Sequence, residues 1–221
     1  MNYDLMNNNK VYLCGEVVSD PVFSHEIYGE GFYELKLSVN RLSDHRDIIP
    51  ITISERLLTE KDFSIGSKVA VKGQFRSYNK IFENKSKLML TVFVREVVEE
   101  ADDLNPNVIE LNGFICKEPI FRTTPFNREI CDLLVAVNRA YNKSDYLPCI
   151  AWGRNARFMC GVEVGEKIYI TGRIQSREYL KRVDNEERVC TAYEISISKV
   201  SAGSSAFESD YYEECSSEGV N

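Results

Sequence analysis

In the stretch CIAWGRNARFM, Cys149–Met159, the chain's only tryptophan is followed at once by Gly153, Arg154, Asn155 and Arg157. An indole presents a flat apolar face, and guanidinium groups supply planar, permanent positive charge. Trp152, Arg154 and Arg157 could therefore hold something flat and anionic, or Trp152 could be an ordinary core plug. Other chemistry is thinly represented. The two histidines, His25 and His45, both stand in the first half, and there is no Gly-x-Ser-x-Gly, no phosphate loop and no H-E-x-x-H. Asp44, His45 and Asp47 cluster in LSDHRD, where a solvated loop between strands accounts for them better than catalysis does. The seven cysteines (Cys14, Cys116, Cys131, Cys149, Cys160, Cys190 and Cys215) form no C-x-x-C pair. That argues against a zinc site and against a disulfide framework. No catalytic residue, metal or cofactor is expected, and the cysteines read as small, mostly buried apolar residues of a protein in a reducing cytoplasm.

The charge distribution bears on what such a tryptophan could meet. The net charge of −7 is unpromising for a nucleic-acid partner, but it is unevenly spread. Residues 11–97 carry 12 basic and 12 acidic side chains, whereas residues 108–200 carry 14 basic and 12 acidic. The excess acidity lies in Glu99, Glu100, Asp102 and Asp103 and in the five acids after Phe207. The second half is mildly basic. No stretch approaches the roughly 20 apolar residues of a membrane span, and MNYDLMNNNK has neither the basic nor the apolar region of a secretory signal.

The elements that must position Trp152 come from an internal repeat. VYLCGEVVSDPVF at Val11 matches IELNGFICKEPIF at Ile109, pairing Gly15 with Gly113, Pro21 with Pro119 and Phe23 with Phe121, all 98 residues apart. SVNR ending at Arg41 matches AVNR ending at Arg139, and Pro50 matches Pro148. After one inserted residue, GSKVAVKGQFRS matches GEKIYITGRIQS, pairing Gly66 with Gly165 and Gly73 with Gly172. An ordered series of Gly, Pro and aromatic landmarks indicates duplication. Each copy alternates apolar and polar residues at period two, as in YELKLSV and KVAVKGQF. Gly15 and Gly113 interrupt strands, where a bulge or sharp bend is the usual reason. The Leu-, Phe- and Met-containing ends of PITISERLL and PCIAWGRNARFM, ahead of the next strand, are long enough for one or two helical turns. Five strands with a short helix between the third and fourth predict an all-β protein of two tandem OB-fold barrels, with a four-stranded sandwich as competitor. The expected layout is a first barrel over 9–98, an acidic linker over 99–107, a second barrel over 108–200 and a disordered acidic tail over 201–221. In YLPCIAW, Tyr146, Pro148, Ile150 and Trp152 share one face, and the smaller Leu147, Cys149 and Ala151 suit the barrel core.

Residues 108–200 resemble the bacterial single-stranded DNA-binding protein family and the related primosomal replication protein N. VIELNGFICKEPIFRTTP, LLVAVNRAY, SDYLPCIAWGRNAR and GEKIYITGRIQSREY carry the likeness. Tyr146 and Trp152 take the two aromatic positions of the family's third strand, Tyr141 the one after its second strand, and Tyr179 the one past G-x-L-x-x-R-x-aromatic. The resemblance implies that these four rings stack on bases. Stacking is sequence-tolerant because every base has a π face. Arg139, Arg154, Arg157, Arg173, Arg177, Lys181 and Arg182 lie on the same strand ends and loops, and would track phosphates. The partner implied is single-stranded DNA, in replication, repair or recombination, in a nucleoid-associated, cytoplasmic protein. Single-stranded RNA and an OB-fold assembly module are the alternatives.

Two departures from the family matter. At the places of Tyr141, Tyr146, Trp152 and Tyr179 the first copy has Ser43, Ile48, Ser54 and Lys80, with only Tyr78 and Phe82 as replacement rings. Its stacking set is largely lost, which suits weak binding, subunit pairing or recruitment. The tail is acidic but ends in Gly219, Val220 and Asn221, without the family's Pro-Phe tip, so recruitment of replication or repair proteins does not carry over. By analogy, two chains could associate to give four barrels, or one chain could pair its own two.

Overall fold

A computed structural model describes residues 7–203 apart from 42, 44, 83–84, 100–105 and 184–185. The expected disordered tail beyond Gly203, most of the acidic linker and Asp44 lie outside the described residues, as do the side chains of Phe82 and Arg182. The first copy runs β1 (Asn9–Val17), β2 (Val22–Ile27), β3 (Glu30–Asn40), β4 (Arg46–Ser54), α1 (Glu55–Leu58), β5 (Lys68–Phe82) and β6 (Lys85–Val98). The second repeats it as β7 (Asn107–Ile115), β8 (Ile120–Thr123), β9 (Glu129–Arg139), β10 (Lys143–Trp152), α2 (Arg154–Met159), β11 (Lys167–Val183) and β12 (Glu186–Ala202).

Each copy closes a five-stranded barrel. In the first, β3 pairs with β1 and β4, β5 pairs with β1 and β6, and a parallel contact of Ile51 with Val92 and Thr52 with Phe93 joins β4 to β6. The second closes in the same way through Cys149 with Ile195 and Ile150 with Ser196. A sandwich is thereby excluded, and the helix stands between the third and fourth barrel strands. Each copy also has a sixth strand that the alternation does not disclose. β2 and β8 hang on the barrel edge by pairing only with β3 and β9, and neither buries a face. Without a buried face there is no period-two signal to read. Two boundaries also differ from expectation: β7 already includes Asn107, and β12 continues to Ala202.

The glycine landmarks have a backbone cause. β1 leaves β5 and joins β3 at Glu16–Val17, and a Cβ on Gly15 would lie 2.6 Å from the Ser38 carbonyl oxygen. Gly113 meets the Ala136 carbonyl oxygen in the same way, at 2.7 Å. Only a residue without a side chain lets one strand bend across two neighbours there. Inside, Leu13, Leu35, Ile51 and Phe75 fill the first barrel, and Leu111, Val135, Leu147 and Ile174 fill the second. Leu57 of α1 and Met159 of α2 pack against this core. Cys131 and Cys149 are buried in it, and burial pushes the Cys131 thiol up to about 11.

The two barrels join through β1 and β7, which pair antiparallel and make one twelve-stranded sheet. Val11 faces Ile109, its own repeat equivalent, and Asn9 with Leu111 is mirrored by Leu13 with Asn107. The flanking bonds Cys14 N–H to Pro106 O and Asn112 N–H to Asn8 O, both 2.8 Å, exchange under the same operation. So do the side chains. Asn9 exchanges two hydrogen bonds with the Phe75 backbone, and Asn107 does so with that of Ile174, at 2.7 and 2.9 Å in each case. A pseudo-twofold axis therefore passes between Val11 and Ile109, and the chain pairs its own barrels as an isologous dimer pairs subunits.

Two buried aspartates at equivalent positions bridge the barrels, with unequal sets of donors. Asp47 accepts from Arg41 of its own barrel, Nη2 at 2.7 Å and Nε at 2.8 Å, and across the junction from the Ser176 backbone at 2.7 Å and Arg173 at 3.1 Å. Its equivalent, Asp145, accepts from the Ser77 backbone at 2.8 Å and meets Arg139 only at 3.4 Å. Asp47, which LSDHRD set in a solvated loop, is thus a buried counter-ion.

Candidate nucleic-acid interface

β10 ends by presenting Trp152 outward. Leu147, Cys149 and Ala151 point into the barrel core, and the opposite face carries Tyr146 and Trp152, 47% and 37% exposed. Trp152 is no core plug. The chain turns directly after it because Gly153 adopts φ 53° and ψ −119°, a backbone conformation open essentially to glycine, and so starts α2. The first copy solves this corner differently. Ser54, at the place of Trp152, is the N-cap of α1, its Oγ accepting from the Leu57 backbone at 3.5 Å. The strand end that presents a ring in one copy caps a helix in the other.

Trp152 borders two hollows. One, of about 620 Å³, is lined by Arg122, Arg128, Arg173, Arg177, Gln175, Ile130, Ile150 and Glu194, and also by Arg41 from the first barrel. The other, of about 450 Å³, lies towards the β8–β9 turn and is lined by Thr123, Asn127, Arg128, Glu129 and Arg157. The larger lining holds five guanidinium groups against the single carboxylate of Glu194, which itself accepts from Gln175 at 2.7 Å.

Of the eleven residues expected in the site, Arg182 lies outside the described side chains; Trp152, Arg173 and Arg177 line the larger hollow, and Trp152 and Arg157 the smaller. Tyr179 stands on the arm of β11, 39% exposed, with the Arg177 guanidinium 5.9 Å from its ring centre. Tyr141, 92% exposed, occupies the β9–β10 turn with φ 61°, a left-handed backbone that strains a bulky residue. Arg154 and Lys181 are exposed. Arg139 lies apart from both hollows at the barrel junction, against Asp145. Arg173 is shared between groove and junction, and burial followed by the nearby Arg41 charge lowers its pKa. Arg157 is bonded to Glu129 at 2.6 Å.

Arg41, Arg122 and Arg128 are the residues that sequence reasoning missed. Arg122 and Arg128 flank the β8–β9 turn, and Arg122 bonds to Asp132 at 2.5 Å. A basic pair around TTPFN was the available signal. Arg41 had none, because its place depends on how the barrels pair.

The model of the single-strand binding protein family matches residues 106–202. Single-stranded DNA-binding protein B of Bacillus subtilis is 30% identical over 92 residues, which cover 38% of this chain and 76% of that one. The chain belongs to this family. Single-stranded DNA-binding protein 3 of Streptococcus agalactiae serotype V is 32% identical over 80 residues, 33% of this chain and 58% of the relative's length. The family match falls on the second barrel, which also supplies every lining residue of the groove except Arg41. The wild-type single-stranded DNA-binding protein from Thermus aquaticus superposes with a TM-score of 0.64 at 19% identity, covering 91% of this chain and 96% of that one, a likeness of fold across both barrels. No helix among the described residues is long and apolar enough to cross a membrane.

Proposed function

We propose that the second barrel binds single-stranded DNA without strong sequence preference. Bases stack on Trp152, Tyr146, Tyr179 and Tyr141, while Arg154, Arg157, Arg173, Arg177, Arg122 and Arg128 track phosphates. The observation that carries this reading is one exposed indole set at the rim of an arginine-lined groove. Stacking supplies roughly 1–3 kcal/mol per base regardless of base identity, and each phosphate contact releases counterions. A duplex hides the faces of its bases, so it can use the arginines but not the rings. Fluorescence anisotropy with labelled dT, its duplex with dA, and rU of equal length tests this. The single strand is expected to bind at least about tenfold tighter than the duplex, the loss of one or two stacked bases. Equal affinity for duplex contradicts the reading. Tighter binding of rU would redirect it to RNA, which contacts to the 2′-hydroxyl alone can select.

A further inference from the structure

We propose that the first barrel carries a second platform for single-stranded nucleic acid, built from Phe93, Phe32 and His25 with Arg76 and Arg95, at positions displaced from those of the second barrel. The proposal rests on reading the second barrel as a single-strand binder. Position-by-position comparison shows only losses in the first copy, because Ser54 replaces Trp152. The outer face nevertheless regains rings: Phe93 is half-buried and His25 exposed, and the buried Phe32 lies between them. Phe32 on β3 pairs with Ser54, and Phe93 on β6 pairs with Thr52. Phe32 and Phe93 have ring centres 5.6 Å apart, and His25 lies parallel to Phe32 at 5.1 Å and 9°. His25 is exposed, so the run of rings ends on a free edge.

Two guanidinium groups attend Phe93, Arg76 at 5.1 Å and Arg95 at 5.6 Å from the ring centre. An arginine laid on a ring can still stack a base on its other side and donate to a phosphate in its own plane. Arg76 feels the charge of Asp145, which Arg139 meets at 3.4 Å, but among the described residues it makes no direct ion pair. Among the described residues its hydrogen-bond partner is the neutral Gln74, and its Nε is buried without a partner. Burial, then the charge of Arg139, lowers its pKa to about 10. Glu34, the carboxylate on the same face, is engaged by Ser24 and Tyr78. An incoming phosphate supplies what Arg76 lacks, and a following base finds Phe93 and His25.

The test compares the whole chain with R76Q/R95Q, using dT oligomers of about 12 and about 40 nucleotides, since one OB fold occupies roughly 4–16. Trp152 emission reports the second barrel, and anisotropy of labelled DNA reports total binding. Short-oligomer quenching is expected to be unchanged in R76Q/R95Q. Long-oligomer affinity is expected to fall at least about fivefold, with the salt slope smaller by about 1. R95Q alone, at an exposed position, moves the same way by less and guards against misfolding of the double variant. Unchanged long-oligomer affinity with intact quenching overturns this proposal alone and leaves the face to an acidic protein segment. Binding that R76Q/R95Q weakens, with no quenching of Trp152 in the parent, overturns the second-barrel reading and keeps this one. No binding by the parent chain overturns both.

Discussion

Replacing Trp152 by alanine is expected to weaken oligo-dT binding about tenfold, the loss of one stacked base. The fold should persist. The side chain stands on the outer face, away from Leu147, Cys149 and Ala151, and surface truncations usually shift stability by about 0.5 kcal/mol. For a chain of this size that is about 1–2 °C in melting temperature. Equilibrium titration and thermal melting of the same preparation separate the two effects. Unchanged affinity would remove the ring from the site, whereas a large fall in melting temperature would return it to the core.

The second large effect lies at the barrel junction, where one substitution at two equivalent positions should give different outcomes. Asp47→Asn is expected to lose about 3 kcal/mol, because it leaves Arg41 and Arg173 half-buried beside a neutral amide. Asp145→Asn is expected to change stability by less than about 1 kcal/mol. The reason is the supply of donors. Burial pushes both carboxylates up. At Asp47 the hydrogen bonds from Arg41 and the Ser176 backbone, with the charges of Arg41 and Arg173, outweigh burial and hold the group below the ordinary range. At Asp145 burial prevails over Ser77, Arg139 and Arg76, and the group rises.

The signs follow. A carboxyl lowered in the folded state contributes stability that is present above the unfolded value near 4 and is lost as pH falls through the folded one. The gap between the parent and Asp47→Asn should therefore close below about pH 4. A raised carboxyl does the reverse: its charge opposes folding at neutral pH, and stability recovers as it protonates. An asparagine at 145 keeps an oxygen for the Ser77 N–H and sheds the buried charge. Melting curves from pH 3 to 8 check both. Equal losses at the two positions would contradict the asymmetry.

The repeat was legible because its landmarks answer backbone demands. Gly15 and Gly113 recur where a strand crosses two partners at a distance no side chain fits. The direction of Trp152 was legible from alternation along β10, and Gly153 from the corner that follows it. β2 and β8 escaped because neither face is buried, so polar and apolar residues follow no period there. Arg41 escaped because a groove shared between barrels depends on β1–β7 register, which no local pattern encodes. Phe93 escaped for a different reason. Matching the copies position by position asks only whether an old ring was kept, and cannot find a ring gained one strand away.

Single-strand binding by the second barrel, as proposed, requires a base to stack on Trp152. With one tryptophan in the chain, its emission during titration with oligo-dT at low and high salt has a single source. Strong quenching, with log affinity falling against log salt at a slope of about −3 for four phosphate contacts, is the predicted result. Emission unmoved at saturating DNA, with no mobility shift in parallel, would contradict it and leave the paired barrels as an assembly scaffold.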